Sequence, residues 1–117
     1  CDVLVIATPG GPGTRHLVDA DILQALGERG WLVNIARGSV VDTAALARAL
    51  RTHAIAGASL DVYESEPAPP AELIGLSNVV LTPHVAGWSP EAVQNSVDRF
   101  IANATRHFAG QPMVSPI

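Results

Sequence analysis

Four side chains suited to acid–base and anion chemistry sit just past short apolar runs: Arg37, Asp61, Glu66 and His84. A planar guanidinium grips carboxylates through paired hydrogen bonds, and an imidazole exchanges a proton near neutral pH. A carboxylate beside such an imidazole favours its charged form. Brought together, an arginine, a carboxylate and a histidine can hold a small anion and move a proton on it. Taken singly, each has a plainer reading. Arg37 is equally a loop cation paired to Asp42, and Glu66 a solvated acid. Asp61 serves as well to cap its own turn, and His84 as a histidine held by backbone after Pro83. Tyr63 and Glu64 read as loop packing and solvent-facing charge. His16, His53 and His107 lack ligand spacing, so no metal site is expected.

Whether the four meet depends on the elements that carry them. Val3–Ala7 is apolar at every position, as an interior strand of a helix-covered parallel sheet would be, and it closes at Thr8-Pro9-Gly10-Gly11-Pro12-Gly13. Asp19–Leu26 carries a helical stripe of Ile22, Leu23 and Leu26. Trp31–Ala36 is a second strand ending at Arg37-Gly38, and Asp42 caps a helix over Thr43–Arg51. Ile55–Leu60 is a third strand, followed by Asp61 and a proline-stiffened loop from Val62 to Leu73. Asn78–Leu81 is a fourth, stopped by Thr82-Pro83. Ser89-Pro90-Glu91 opens a long helix to Phe108, whose apolar stripe of Val93, Val97, Phe100, Ile101, Ala104 and Phe108 reads as core. Strands alternating with helices predict a parallel α/β sheet, in which ligands bind outside the carboxyl ends of the strands. Thr8, Arg37, Asp61, Glu66 and His84 all fall on that edge.

Composition narrows the partners. The chain has 117 residues, 48% hydrophobic and 15% charged, with a mean hydropathy of +0.27, enough to bury the core of one domain or part of one. Seven Lys and Arg against eleven Asp and Glu give a net charge of −4. Neither a nucleic-acid footprint nor a polybasic membrane surface is expected from that balance. No apolar run approaches the ~20 residues of a membrane-spanning helix. One cysteine cannot form an internal disulfide, which points to a reducing, cytoplasmic compartment. The chain enters a strand at once from Cys1-Asp2-Val3, so it is expected to be part of a longer polypeptide.

Three stretches carry a resemblance. Asn34-Ile35-Ala36-Arg37-Gly38-Ser39-Val40-Val41-Asp42 resembles the arginine signature of the D-specific 2-hydroxyacid dehydrogenases. Leu60-Asp61-Val62-Tyr63-Glu64-Ser65-Glu66-Pro67 resembles their glutamate signature, and Leu81-Thr82-Pro83-His84-Val85-Ala86-Gly87 their histidine signature. The three occur in the family's order, and within the family the chain looks nearest the glyoxylate/hydroxypyruvate reductases. The resemblance implies part of a Rossmann-type doubly wound parallel sheet. Residues 1–117 would be the C-terminal portion of a dinucleotide-binding domain. The implied reaction moves a hydride between NADH or NADPH and a small 2-oxo acid, in a parent that pairs as a homodimer.

By the same resemblance Arg37 would hold the substrate carboxylate, His84 would supply the proton and Glu66 would orient His84. Thr8, Ile35, Ala36, Arg37, Asp61, His84, Val85, Ala86 and Gly87 would contact the cofactor. Two departures stand out. Pro9-Gly10-Gly11-Pro12-Gly13-Thr14 lacks the leucine and threonine that commonly follow the family's proline, and Trp88 stands where small residues are usual. No G-x-G-x-x-G occurs, and with it goes the residue that selects NAD or NADP. The resemblance also admits two other readings. One is a dinucleotide-sensing interaction protein like the C-terminal binding protein co-repressors, and the other is a fragment with intact motifs and no activity.

Overall fold

The structure is a computed structural model in which residues 1–115 are described. Its strands are β1 (Val3–Ile6), β2 (Trp31–Asn34), β3 (Gly57–Leu60) and β4 (Val79–Leu81), and its helices are α1 (Ala20–Leu26), α2 (Thr43–Arg51) and α3 (Pro90–Phe108). Single 3₁₀ turns at Pro12–Thr14 and Gly38–Val40 interrupt the loops after β1 and β2. The strands form one four-stranded sheet in the order β1-β2-β3-β4, every pair parallel. All four carboxyl ends therefore open on one edge, as the alternation of elements predicts.

Register decides which residues make the core. Leu4, Leu32 and Ala58 stand abreast, as do Ile6, Asn34 and Leu60, on one face of the sheet. That face packs with Leu23 of α1 and Leu46 and Leu50 of α2 in a single buried cluster. The two helices start where short polar side chains satisfy their first amides. Asp19 accepts from the Asp21 and Ile22 N–H groups, and Asp42 from that of Ala45. The loop after β3 folds back to bury Leu73 completely in the same cluster.

Two expectations about burial are corrected. β1 is an edge strand rather than an interior one, and its Val3 and Val5 are exposed together with Trp31 and Val80. The uniformly apolar run fits a strand covered on both faces, but α1 and α2 both pack on the face that holds Leu4 and Ile6. The stripe of α3 is likewise not core, because none of its residues is buried.

The chain divides into two compact units, Cys1–His84 and a second from Val85 onward. In the second, Ser89 caps α3 by accepting from the Ala92 N–H, as its sequence predicts. The tail after α3 returns along it through Asn103, which accepts from Val114 N–H, and through Arg106, which donates to the Pro112 carbonyl. Such a unit has one helix and no second layer, so the stripe finds nothing within it to pack on.

Candidate active site

β2 ends two residues earlier than its apolar run predicts, and Asn34 is the reason. Its buried amide accepts from the Ala36 N–H at 3.0 Å and donates to the Arg37 carbonyl at 3.0 Å. The chain is thereby folded into a turn that lifts Arg37 out at the carboxyl edge. Nothing in the hydrophobic pattern singles out Asn34, although a lone asparagine at a strand end is a turn-forming residue. The Arg37 stem then lies over Gly10 of the first loop, where an added Cβ would stand 2.6 Å from Arg37 Cγ. Gly38 meets the backbone of Tyr63 and Glu64 so closely that any side chain would collide with it. The guanidinium donates to the Ala36 carbonyl through Nη1 at 2.6 Å. No ion pair joins Arg37 to Asp42 among the described residues, since Asp42 is the cap of α2.

His84 follows β4 and is paired as its motif implies. Its Nδ1 lies 3.0 Å from Glu66 Oε2, while Glu66 Oε1 accepts from the Tyr63 N–H at 2.7 Å. Partial burial raises the Glu66 carboxyl. The hydrogen bonds from His84 and the Tyr63 amide, with the His84 charge, outweigh it and hold the group below the usual carboxylate range. An ionised carboxylate only accepts, so Nδ1 carries the proton of this bond and the ring turns Nε2 outward. The His84 side chain is half exposed, and its Nε2 has no partner among the described residues. His84 also has left-handed backbone, with φ 56°, uncommon for a residue with a side chain. The Asp61 carbonyl accepts its N–H at 2.8 Å and holds that conformation in place.

Asp61 and Tyr63 tie the ends of β3 and β4 together. Asp61 is buried and accepts from Thr82 Oγ1 at 2.5 Å. The Tyr63 hydroxyl reaches the Leu60 carbonyl at 3.2 Å and the Thr82 carbonyl at 2.5 Å. Burial, then the charges of Asp61 and Glu66, push the phenol up against the opposing effect of its Thr82 bond. Tyr63 is thus a brace under the Glu66–His84 pair, not mere loop packing. A tyrosine beside paired acids gives no signal of this before folding.

Glu64 is exposed, as expected of a solvent-facing charge, but it is also engaged by three other side chains. Its Oε1 meets His16 Nε2 at 2.8 Å and Arg15 Nη1 at 3.5 Å, and its Oε2 accepts from Thr43 Oγ1 at 3.1 Å. Burial raises this carboxyl, but hydrogen bonds from His16 and Thr43 hold it low. No periodicity connects residues 16, 43 and 64, so only the fold could bring them together.

Two hollows open on this edge. One of about 400 Å³ is lined by Arg15, Arg37, Glu64, Glu66 and His84 among others. The second, about 550 Å³, lies between Thr8–Gly10 and Ile35–Arg37, so Arg37 borders both. Thr8, Ile35, Ala36, Arg37, Glu66 and His84 are thereby brought to two adjoining hollows, with Asp61 buried behind them. Val85, Ala86 and Gly87 belong to the second unit, where the Trp88 N–H closes a turn on the Val85 carbonyl at 2.9 Å. Among the described residues no group of acidic, histidine or cysteine side chains could hold a metal ion, and no helix is long and apolar enough to cross a membrane.

Residues 1–86 match the family model for the NAD binding domain of D-isomer specific 2-hydroxyacid dehydrogenases. The chain belongs to this family. Within this family, a glyoxylate/hydroxypyruvate reductase A of Arabidopsis thaliana is 44% identical over 116 residues, covering 99% of this chain and 37% of the relative. A 2-ketogluconate reductase of Gluconobacter oxydans is 42% identical over 117 residues, 100% of this chain and 38% of its own. The crystal structure of an NADPH-dependent glyoxylate/hydroxypyruvate reductase from Sinorhizobium meliloti, with NADP and malonate, superposes with a TM-score of 0.91. It is 42% identical and covers 99% of this chain and 36% of that one. The fold of this dehydrogenase-family chain is thus Rossmann-type α/β, and the chain spans little more than a third of the length of the relatives it matches.

Proposed function

We propose that residues 1–117 are the C-terminal portion of a dinucleotide-binding domain in a cytoplasmic, homodimeric oxidoreductase. Its reaction moves a hydride between NADH or NADPH and a small 2-oxo acid of the glyoxylate or hydroxypyruvate kind. One observation carries this reading: His84, whose Nε2 has no partner among the described residues, lines the same hollow that Arg37 borders, with its other nitrogen held by Glu66. The family relationship to glyoxylate/hydroxypyruvate reductases supports the substrate class.

The second hollow fits the nicotinamide end of the cofactor. Ile35 and Ala36 give it apolar walls, and the half-buried Thr8 brings a hydroxyl with no partner among the described residues. Hydride exchange is the chemistry a nicotinamide cofactor supplies when bound. Asp61 would contact the same end from behind β3. Arg37, standing between the hollows, would hold the substrate carboxylate by paired hydrogen bonds and lean on the 2-oxo oxygen. His84 would give its Nε2 proton to that oxygen during reduction and take it back in the reverse direction. Glu66 would fix the tautomer and hold the ring in place.

The test is NADH or NADPH oxidation by a complete dehydrogenase assembled around this chain, with glyoxylate and hydroxypyruvate as substrates. Activity that Arg37→Gln abolishes or confines to high substrate concentration supports the reading. Full activity in Arg37→Gln contradicts it. The 117-residue chain by itself should bind NADH weakly, because positioning comes in large part from walls outside it. A micromolar dissociation constant by fluorescence titration would overturn that expectation.

A further inference from the structure

We propose that Glu64 is a positioning residue for Arg37, an inference that rests on Arg37 being the carboxylate clamp. The two oxygens of Glu64 face different parts of the chain. Oε1 takes His16 Nε2 at 2.8 Å and Arg15 Nη1 at 3.5 Å, both from the loop between β1 and α1. Oε2 takes Thr43 Oγ1 at 3.1 Å, with the Thr43 N–H at 3.5 Å, at the head of α2. The carboxylate is therefore a strut between a glycine-rich loop and a capped helix.

That loop is the one on which Arg37 rests. Gly10 carries the Arg37 stem against it, and Thr14 Oγ1 donates to the Pro9 carbonyl beside Gly10 at 3.0 Å, so the segment from Pro9 to His16 is linked from end to end. The His16 N–H donates to the Ser39 carbonyl at 2.8 Å, and Val18 bridges to Val41. His16 adopts left-handed backbone, φ 50°, which turns its ring toward Glu64. A hydrogen bond to a charged group is stronger than a neutral one, so the Glu64 carboxylate adds a charged tie between this loop and the head of α2. Losing it lets Gly10 move and takes the Arg37 stem with it, while the backbone bond from His16 keeps the loop folded.

The test follows the 117-residue chain by nuclear magnetic resonance, and a complete dehydrogenase holding NADH with oxamate as the 2-oxo acid analogue. Glu64→Gln and His16→Gln should each displace the Gly10 amide and Arg37 Nε–H signals in a common direction. The amides of Leu32 and Ala58 should stay in place, and Glu28→Gln should move none of these signals. Oxamate should bind about tenfold more weakly to both loop variants. In a complete dehydrogenase the same variants should raise KM for the 2-oxo acid about tenfold and leave kcat within about twofold. Unmoved Gly10 and Arg37 signals in both variants would overturn the proposal. If Glu64→Gln does not fold, His16→Gln decides alone. If oxamate leaves Arg37 untouched in a complete dehydrogenase holding NADH, the clamp reading fails, and the signal displacements in the 117-residue chain still decide whether Glu64 positions Arg37.

Discussion

One loop of this chain carries two carboxylates that each hold a histidine, and the two pairs are built for opposite ends. Glu64 meets His16 at 2.8 Å and is also engaged by Arg15 and Thr43, so both of its oxygens are taken by this chain although it lines the same hollow. Glu66 meets His84 at 3.0 Å and, among the described residues, is otherwise held by one backbone N–H, from Tyr63. The His84 side chain is 53% exposed against 34% for that of His16, and only His84 lines the hollow beside Arg37. A Glu–His contact does not by itself mark proton chemistry. What separates the pairs is whether the histidine lines a hollow where a substrate can sit.

The comparison breaks most visibly in rate. His84→Gln in a complete dehydrogenase should lower kcat by about 10²–10⁴-fold, the usual worth of a positioned acid. His16→Gln should leave kcat within a few-fold in the same assay. Equal losses from both substitutions would mean that the pairs do not differ in kind.

Gly38 supports both pairs, because the backbone of Tyr63 and Glu64 rests directly on it. Gly38→Ala should therefore destabilise the chain by about 1–3 kcal/mol, read as a lower urea midpoint, and disturb both histidines together. Gly13→Ala, with open space around its Cβ direction, is the matched control. Thr43→Val removes one anchor of Glu64 without touching Glu66, and should cost about 1 kcal/mol.

The smallest effect is in pH. Both carboxyls are held below their ordinary value of 4.5 in the folded chain. Their contribution to stability is full above that value and is lost as pH falls through their lower folded values. The urea midpoint should therefore drop below about pH 4.5, and less steeply in Glu64→Gln and in Glu66→Gln. A midpoint indifferent to either substitution would show that neither pair is formed in solution.

What could be read before folding was whatever depends on local order along the chain. The four strands, the caps at Asp42 and Ser89, and the arrival of Arg37, Asp61, Glu66 and His84 at one edge follow from apolar runs and their punctuation. Side-chain reach across the fold was illegible. Glu64 and His16 lie 48 residues apart, and no pattern in either neighbourhood names the other. Asn34 sits inside an apolar run, so its turn-forming amide was absorbed into the strand. The apolar stripes of β1 and α3 announced burial without saying against what. For Asp61, buried and bonded to Thr82, the bracing role coexists with the expected contact to cofactor.

The most direct test of the division between the two pairs is a crystal structure of a complete dehydrogenase built on this chain, with NADH and oxamate bound. The oxamate carboxylate should lie on the Arg37 guanidinium, with its oxo oxygen within hydrogen-bond reach of His84 Nε2. Glu64 and His16 should remain joined outside the ligand. Oxamate bound away from Arg37, or in contact with His16 while His84 turns aside, would contradict it.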